Sequence, residues 1–404
     1  MTVAPAELAI DLMSGDFHGG PDPHRAYAWM RANAPIYHDE ANDLWAAALY
    51  KDVKAMGTDP ATFSNGIGGS RPKFMPLPMM VDMDAPEHKR HRKLVSAGFT
   101  PRRIAAMEEH VRAVCDAVID EVCERGECDF VRDVAAPLPL NMIGDMLGVS
   151  HESRPDLLRW SELMLTSQGD LREETVAGAS LAFAEYMAYM QPVLENRRRT
   201  GTDDDLVGIL VNAEIDGDRL DDDALIFESL LLLIGGDETT RHVLSGGMLA
   251  LLQHPDQLRL LQSDPARLGV AVEEMLRWVS PIKNMVRTTT RDVEIDGVTI
   301  PDSAQIMLLY PSANRDETVF DAPDTFDVSR DPNPHLAFGF GTHFCLGNQL
   351  ARIELRVMFE QLFGRLPDIA LAQPGPFPSR PSNFISGLEE LPVRFTPSRR
   401  TPAA

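Results

Sequence analysis

Phe338-Gly339-Phe340-Gly341-Thr342-His343-Phe344-Cys345-Leu346-Gly347 sets a lone cysteine in a glycine-punctuated turn. The helix-forming run Asn348-Gln349-Leu350-Ala351-Arg352-Ile353-Glu354-Leu355 follows at once. Gly339 and Gly341 permit the backbone angles of a tight turn, and Gly347 lets the chain come close to a flat group. The amino end of the next helix would turn N–H groups toward the sulfur and favour its anion. A thiolate so placed suits the axial position of a porphyrin iron that must split an O–O bond, because sulfur pushes electron density into that bond. A lone cysteine is more often a buried structural thiol, but ten residues of such specific context argue against that here.

The rest of the chain sets bounds around this turn. Its 404 residues are 44% hydrophobic and 25% charged, an ordinary globular balance with ample core. A net charge of −23 disfavours nucleic acid and anionic membrane surfaces as partners. No run of 18 apolar residues occurs, and the start MTVAPAELAIDLMSG has neither a basic nor a long apolar segment, so no membrane anchor or secretory leader is expected. Four cysteines point to a reducing compartment, and the cytoplasm is the expected location. Cys115, Cys123 and Cys128 read as buried thiols, since Cys123-x4-Cys128 is not a metal spacing.

From about Pro101 to Val279 the pattern is mostly helical, with helices expected over 105–123, 138–147, 174–196 and 221–252. Thr100-Pro101 supplies a cap followed by a first-turn proline. Strands are expected at 36–38, 44–49, 293–300 and 306–309, and a loop-rich stretch at 316–335. The sum is a mainly α protein, a large helical body with a small β region. It reads as one domain over 1–404, without linker or repeat, with loose termini at roughly 1–15 and 396–404.

Leu231-Leu232-Leu233-Ile234-Gly235-Gly236-Asp237-Glu238-Thr239-Thr240 is a second constellation. Two glycines inside an apolar helix cost roughly 1 kcal/mol each against alanine and need a reason, such as a ligand or a local opening. An acid followed by a hydroxyl directly after them offers a proton carrier. Glu274-Met275-Leu276-Arg277 puts a carboxylate and a guanidinium three apart on one helix face, which alone is common surface decoration.

The decapeptide resembles the haem-binding loop of the cytochrome P-450 family, Phe-Gly-x-Gly-x-His-x-Cys-x-Gly, at every fixed position. Similarity extends from Tyr27-Ala28-Trp29-Met30-Arg31 to Phe384-Ile385-Ser386-Gly387. It implies the cytochrome P-450 fold, haem b as cofactor, and Cys345 as its axial thiolate and metal ligand, with Phe338 and Gly347 beside it. It also implies that Gly235 and Gly236 are the small pair at the oxygen site, with Glu238 and Thr239 as the catalytic acid and alcohol. Glu274 and Arg277 would brace the haem loop with Arg330 of the later meander. His88, Arg92, Arg287 and His343 would hold the haem propionates. The basic residues Lys89, Arg90, Lys93, Arg102, Arg103, Arg352 and Arg356 would flank the cysteine face and steer an acidic ferredoxin, itself reduced by a ferredoxin reductase with NAD(P)H.

The implied function is a monooxygenase inserting one atom of dioxygen into an unactivated C–H bond. The stretches LLLIGGDETTRH, SPIKNMVR and NPHLAFGFGTHFCLGNQLAR are similar to bacterial members that oxidise the terminal methyl of the cholesterol or cholest-4-en-3-one side chain. Met75, Leu77, Met79, Met80, Ile234, Ile282, Met285, Val286 and Ile385 would line an apolar, adaptable pocket. Such a pocket would equally suit a fatty acid or a terpenoid. A haem peroxygenase would share Cys345 without needing the acid–alcohol pair, and a non-catalytic haem sensor would need neither proton relay nor donor surface.

Overall fold

The computed structural model describes residues 4–20, 22–167, 172–214 and 217–401. The helices around the site are α1 (Glu87–Val95), α2 (Glu108–Val122), α3 (Pro137–Met146), α4 (Arg154–Thr166), α5 (Glu173–Thr200), α6 (Asp222–Gln253), α7 (Leu268–Val279) and α8 (Asn348–Arg365). The run from Asp222 to Gln253 is apolar on nearly every side, and it becomes the central helix α6. Asp221 caps it by accepting from the Ala224 N–H at 2.8 Å. Small residues let neighbours come close: a side chain at Gly236 would meet Ile143 of α3 at 3.2 Å, and one at Gly247 would meet Met275 of α7 at 3.0 Å. Helix spans agree with the sequence pattern to within a few residues, and Thr100 caps the short helix Pro101–Ala106 as its sequence suggests.

A five-stranded sheet lies to one side, formed by β1 (Ile36–Asp39), β2 (Leu44–Ala47), β3 (Phe63–Ser64), β4 (Asn284–Thr289) and β5 (Gln305–Leu309) in the order β1-β2-β5-β4-β3. Only β2 and β5 run parallel. β4 is signalled in the sequence only through the family resemblance, because Asn284-Met285-Val286-Arg287-Thr288-Thr289 lacks a clean alternation. Pleating separates its neighbours. Val286, opposite Met307, packs into the apolar layer with Leu44 and Tyr27, while Arg287 faces the cavity described below. The expected strand at 293–300 is a hairpin, Val293–Ile295 with Val298–Ile300, turning at Asp296-Gly297.

Parts of both expected loose ends contact the body among the described residues. Leu12 is fully buried, with its N–H on Asp39 Oδ2 at 2.9 Å. Near the other end Pro392–Arg394 pairs with Glu127–Asp129. That carries the tail across α2, where Ser398 N–H reaches Cys123 O at 2.8 Å. Residues 1–3 and 402–404 lie outside the described residues.

One buried charge pair fixes the segment that leads to Cys345. Arg277 and Glu274 of α7 are both fully buried, and two parallel 2.7 Å hydrogen bonds join them. Arg277 also donates to the carbonyls of Asn314, Pro323 and Thr325. Glu274 accepts from Arg330 Nε at 3.1 Å, Asn333 Nδ2 at 3.1 Å and Asp327 N–H at 2.9 Å. The meander over 314–333 is thus tied to α7 at six points other than the pair itself. Removing one member leaves the other as a bare buried charge. Arg277→Ala should therefore lower stability by roughly 3–5 kcal/mol in a denaturant titration, while Arg267→Ala, which breaks an exposed pair with Asp264, should cost about 1 kcal/mol or less.

Candidate functional site

A single glycine-lined turn positions the cysteine. Gly339 and Gly341 adopt φ of 68° and 72°, and a side chain at Gly341 would collide with the Gly57 carbonyl. Cys345 N–H closes the loop onto Phe338 O at 2.9 Å, and Asn348 Nδ2 holds Cys345 O at 2.7 Å. Burial pushes the Cys345 thiol up, while the N–H groups of Gly347 and Asn348 and the cations Arg92 and Arg352 favour its anion. Arg352 stacks on Phe338, 4.5 Å from the ring centre, and is gripped by Glu273 at 2.7 Å. His335 shares that carboxylate. Against burial, which would raise it, these hydrogen bonds hold Glu273 to about 2. Of the four cysteines, only Cys345 reaches the large cavity of about 480 Å³ among the described residues.

That cavity lies between the Cys345 loop and α6. Gly347 on one wall and Gly235 on the other face open space, with nothing within 4 Å of where a side chain would begin. At one edge His88, Arg92, Arg287 and His343 converge, and the two imidazoles lie 4.1 Å apart. None of the four has an ion-pair partner among the described residues, and His88 Nε2 is buried without a hydrogen bond. Burial, reinforced by His88, Arg287 and Arg92, drives His343 down to about 2. A slot for a flat ring, a thiol on its floor, and two unpaired guanidiniums with two imidazoles at its rim fit haem, whose two propionates would supply the missing anions and acceptors.

Across the slot, Thr239 turns its hydroxyl onto Gly235 O at 2.8 Å and lines the cavity. Glu238 does not share that wall. It is fully buried behind α6, where Oε2 accepts from Arg241 at 2.5 Å and Arg380 at 2.7 Å, and Oε1 has no partner. Burial alone would raise its pKa, but His242, Arg241 and Arg380 hold it at about 2. Both arginines also reach Glu162 of α4, at 3.1 and 3.9 Å, whose side chain is 43% exposed. A chain of charge therefore runs from beside Thr239 to the surface.

With this geometry in place, comparison with known proteins decides the family. The family model "Cytochrome P450" matches residues 54–264 and 268–366. The chain belongs to the cytochrome P450 family. It is 53% identical over 400 residues to a steroid C26-monooxygenase of Mycobacterium tuberculosis, covering 98% of this chain and 99% of the relative. A steroid C26-monooxygenase of Mycolicibacterium smegmatis is 50% identical, with 96% of each chain covered. Among solved structures, the Bacillus subtilis cytochrome P450 PksS aligns with a TM-score of 0.88 at 32% identity, covering 96% of this chain and all of that one. CYP109E1 of Bacillus megaterium in complex with testosterone aligns with a TM-score of 0.86 at 29% identity, over 94% and 99% of the two chains. This P450 is therefore a monooxygenase carrying haem b with a cysteine thiolate as axial ligand. It uses dioxygen and electrons from redox partners on an apolar substrate.

The remaining candidates divide by place. Leu77, Met79, Met80, Ile234, Ile282, Met285 and Ile385 line the cavity. Met75 is 80% exposed and Val286 is buried in the sheet layer, so neither does; strand parity and loop path decide against them. Lys89, Lys93, Arg102 and Arg103 are exposed and have no ion-pair partner among the described residues. Arg90 is bound to Asp218, Arg356 to Glu108 at 2.7 Å, and Arg352 to Glu273, so those three cations are largely neutralised.

Several groups at the site have no local sequence signal. Arg380 meets Glu238 across 142 positions. Glu354 of α8 lines the cavity near Thr240, and burial pushes its carboxyl up to about 8. Asp237, beside Glu238 and hydrogen-bonded by Ser161, is raised to about 7 by burial and by that neighbour. Thr239 and Glu238 thus lie on different faces of one helix, which predicts distinct defects on substitution. Thr239→Ala should keep NAD(P)H consumption while peroxide release rises and product yield falls. Glu238→Gln should slow turnover by roughly tenfold or more with coupling retained, as measured by oxygen uptake against product.

Proposed function

We propose that this P450 hydroxylates the terminal methyl of a sterol side chain, with cholest-4-en-3-one or cholesterol as substrate. The observation that carries the reading is 50–54% identity over nearly the whole chain to steroid C26-monooxygenases. The cavity supports it. Its wall is overwhelmingly apolar and includes Phe74, Leu77, Met79, Met80, Ile234, Ile282, Met285 and Ile385. Flexible thioethers suit a rigid ring system whose outline the pocket must follow.

The haem supplies the activation of dioxygen and the C–H cleavage. In this reading Cys345 provides the thiolate, and His88, Arg92, Arg287 and His343 hold the propionates. The chain's own task is to bind, orient and protonate. The slim alkyl tail enters the slot between Gly235 and Gly347, the fused rings stay against the Phe74–Met80 segment, and terminal attack follows from which carbon arrives first. Apolar walls exclude water, so a proton comes along a defined path, with the Thr239 hydroxyl at its inner end and Glu238 and Glu162 leading outward. A ferredoxin docks on the cysteine side, where Lys89, Lys93, Arg102 and Arg103 keep uncompensated charge, and the cytoplasm is the place of action.

Titration of the haem enzyme with cholest-4-en-3-one, cholesterol, a medium-chain fatty acid and a monoterpenoid tests the substrate. The sterols should give a blue shift of the haem band and a product oxidised at the terminal methyl. Tight binding of the fatty acid or terpenoid without any sterol shift would overturn the sterol assignment. Ile234→Trp should abolish or relocate sterol oxidation while haem incorporation stays normal. Reversing charge at Lys89 and Lys93 should raise the apparent constant for ferredoxin by on the order of tenfold at low salt, leaving sterol affinity unchanged. The difference should shrink as ionic strength passes about 0.15 M, where the screening length is about 8 Å.

A further inference from the structure

Among the described residues, Arg71 is the one guanidinium on the cavity wall that lies outside the haem set. It follows Ser70, whose carbonyl accepts from the Val286 N–H of β4 at 2.8 Å, so the segment is anchored to the sheet. Its guanidinium packs on Phe74, 3.9 Å from the ring centre, and the side chain is only 14% exposed. Among the described residues its Nη2 is buried with no partner within hydrogen-bond distance. The nearest carboxylate oxygen, on Asp82, is 3.6 Å away, an ion-pair separation rather than a hydrogen bond. Asp82 is already occupied by the Ser70 N–H at 2.8 Å, the Ser70 hydroxyl at 2.5 Å and the Leu77 N–H at 2.9 Å.

Among the other polar groups on that wall, Asn65 Oδ1 is also buried without a partner, but it is an acceptor and offers nothing to a ligand oxygen. The hydroxyls of Ser167, Ser180 and Thr239 donate to carbonyls of their own helices or turns. A guanidinium on an apolar wall whose Nη2 has only the 3.6 Å ion pair to Asp82 and no hydrogen bond is costly unless a ligand supplies an acceptor. Because Asp82 balances its charge, the acceptor that fits is a neutral oxygen rather than a second anion. A sterol carries one such atom, at the ring end opposite the side chain.

We propose that Arg71 is the specificity residue that receives the C3 oxygen of the sterol, ketone or hydroxyl. This rests on the sterol reading above and adds a polar anchor at the far end of the ligand. With the ring oxygen held at Arg71, the tail is directed into the slot above Cys345, so the same contact sets both affinity and the carbon attacked. A site built to hydrogen-bond one oxygen discriminates strongly against an analogue that lacks it.

The test compares the haem enzyme with Arg71→Met and Arg71→Lys, each titrated with cholest-4-en-3-one, with 5α-cholestane (which has no oxygen) and with cholesterol sulfate. The native enzyme should bind the ketone about tenfold or more tighter than the hydrocarbon, and Arg71→Met should erase that gap by weakening the ketone alone. Arg71→Lys should restore part of it. Product analysis should show attack spreading from the terminal methyl in Arg71→Met. Equal weakening of ketone and hydrocarbon would make Arg71 a mere staple of its loop and overturn the inference with the sterol reading intact. A sulfate ester that binds tighter than the ketone, and loses that gain in Arg71→Met, would overturn the neutral-oxygen assignment. No spectral shift with any sterol in the native enzyme would instead remove the reading on which the inference rests.

Discussion

A carboxylate and a guanidinium sealed away from water must find a partner for nearly every lone pair and N–H, and Glu274 and Arg277 find theirs in the backbone that leads to the cysteine loop. The consequence is geometric. Residues over 314–333 contain little regular structure, yet the buried pair holds them in one arrangement against α7. The loop from Phe338 to Gly347 starts from that fixed edge, and Arg352, wedged between Phe338 and Glu273, secures its other side. The sulfur can then sit where a planar cofactor needs it, without the loop being rigid by itself.

The central helix presents two different faces. Toward the cavity it offers Ile234, Gly235 and Thr239, which give room, apolar contact and a single hydroxyl. Away from it, Asp237, Glu238, Arg241 and His242 form a buried charged cluster that reaches Glu162 at the surface. With Asp237 and Glu238 kept off the substrate wall, Glu354 is the one carboxyl lining it among the described residues, and burial pushes it toward the neutral form. Glu238 is held as an anion by two guanidiniums, and Asp237 and Glu354 are pushed toward the neutral form by burial. Buried groups so perturbed are what the proposed proton path would draw on.

The overall charge of −23 makes the cysteine face conspicuous. Most arginines near it are consumed by pairing with Asp218, Glu108, Glu360 or Glu273, and the charge left over belongs to Lys89, Lys93, Arg102 and Arg103. An acidic partner would feel these four most, since paired charges largely cancel beyond a few ångströms in salt water.

Local pattern carried the parts that depend on neighbours in the chain. The glycine spacing around Cys345, the i, i+3 relation of Glu274 and Arg277, the cap at Thr100 and the apolar run that became α6 were all legible, because helix and turn geometry tie such residues together within a few positions. Gly235, Gly236 and Thr239 were legible for the same reason. Only the tertiary structure could decide what meets across long separations: Arg380 on Glu238, Thr240 against Glu354, and Arg71 with its Nη2 short of a hydrogen bond in the cavity wall. It also decided which face each strand residue takes. Val286 and Arg287 are adjacent in sequence, but pleating sends one into the sheet packing and the other to the cavity, and a loop path leaves Met75 in solvent while Met79 and Met80 are buried. Composition says a residue is apolar or charged; which neighbours it meets is set by how the helices and the sheet pack, and that information is shared among segments hundreds of positions apart.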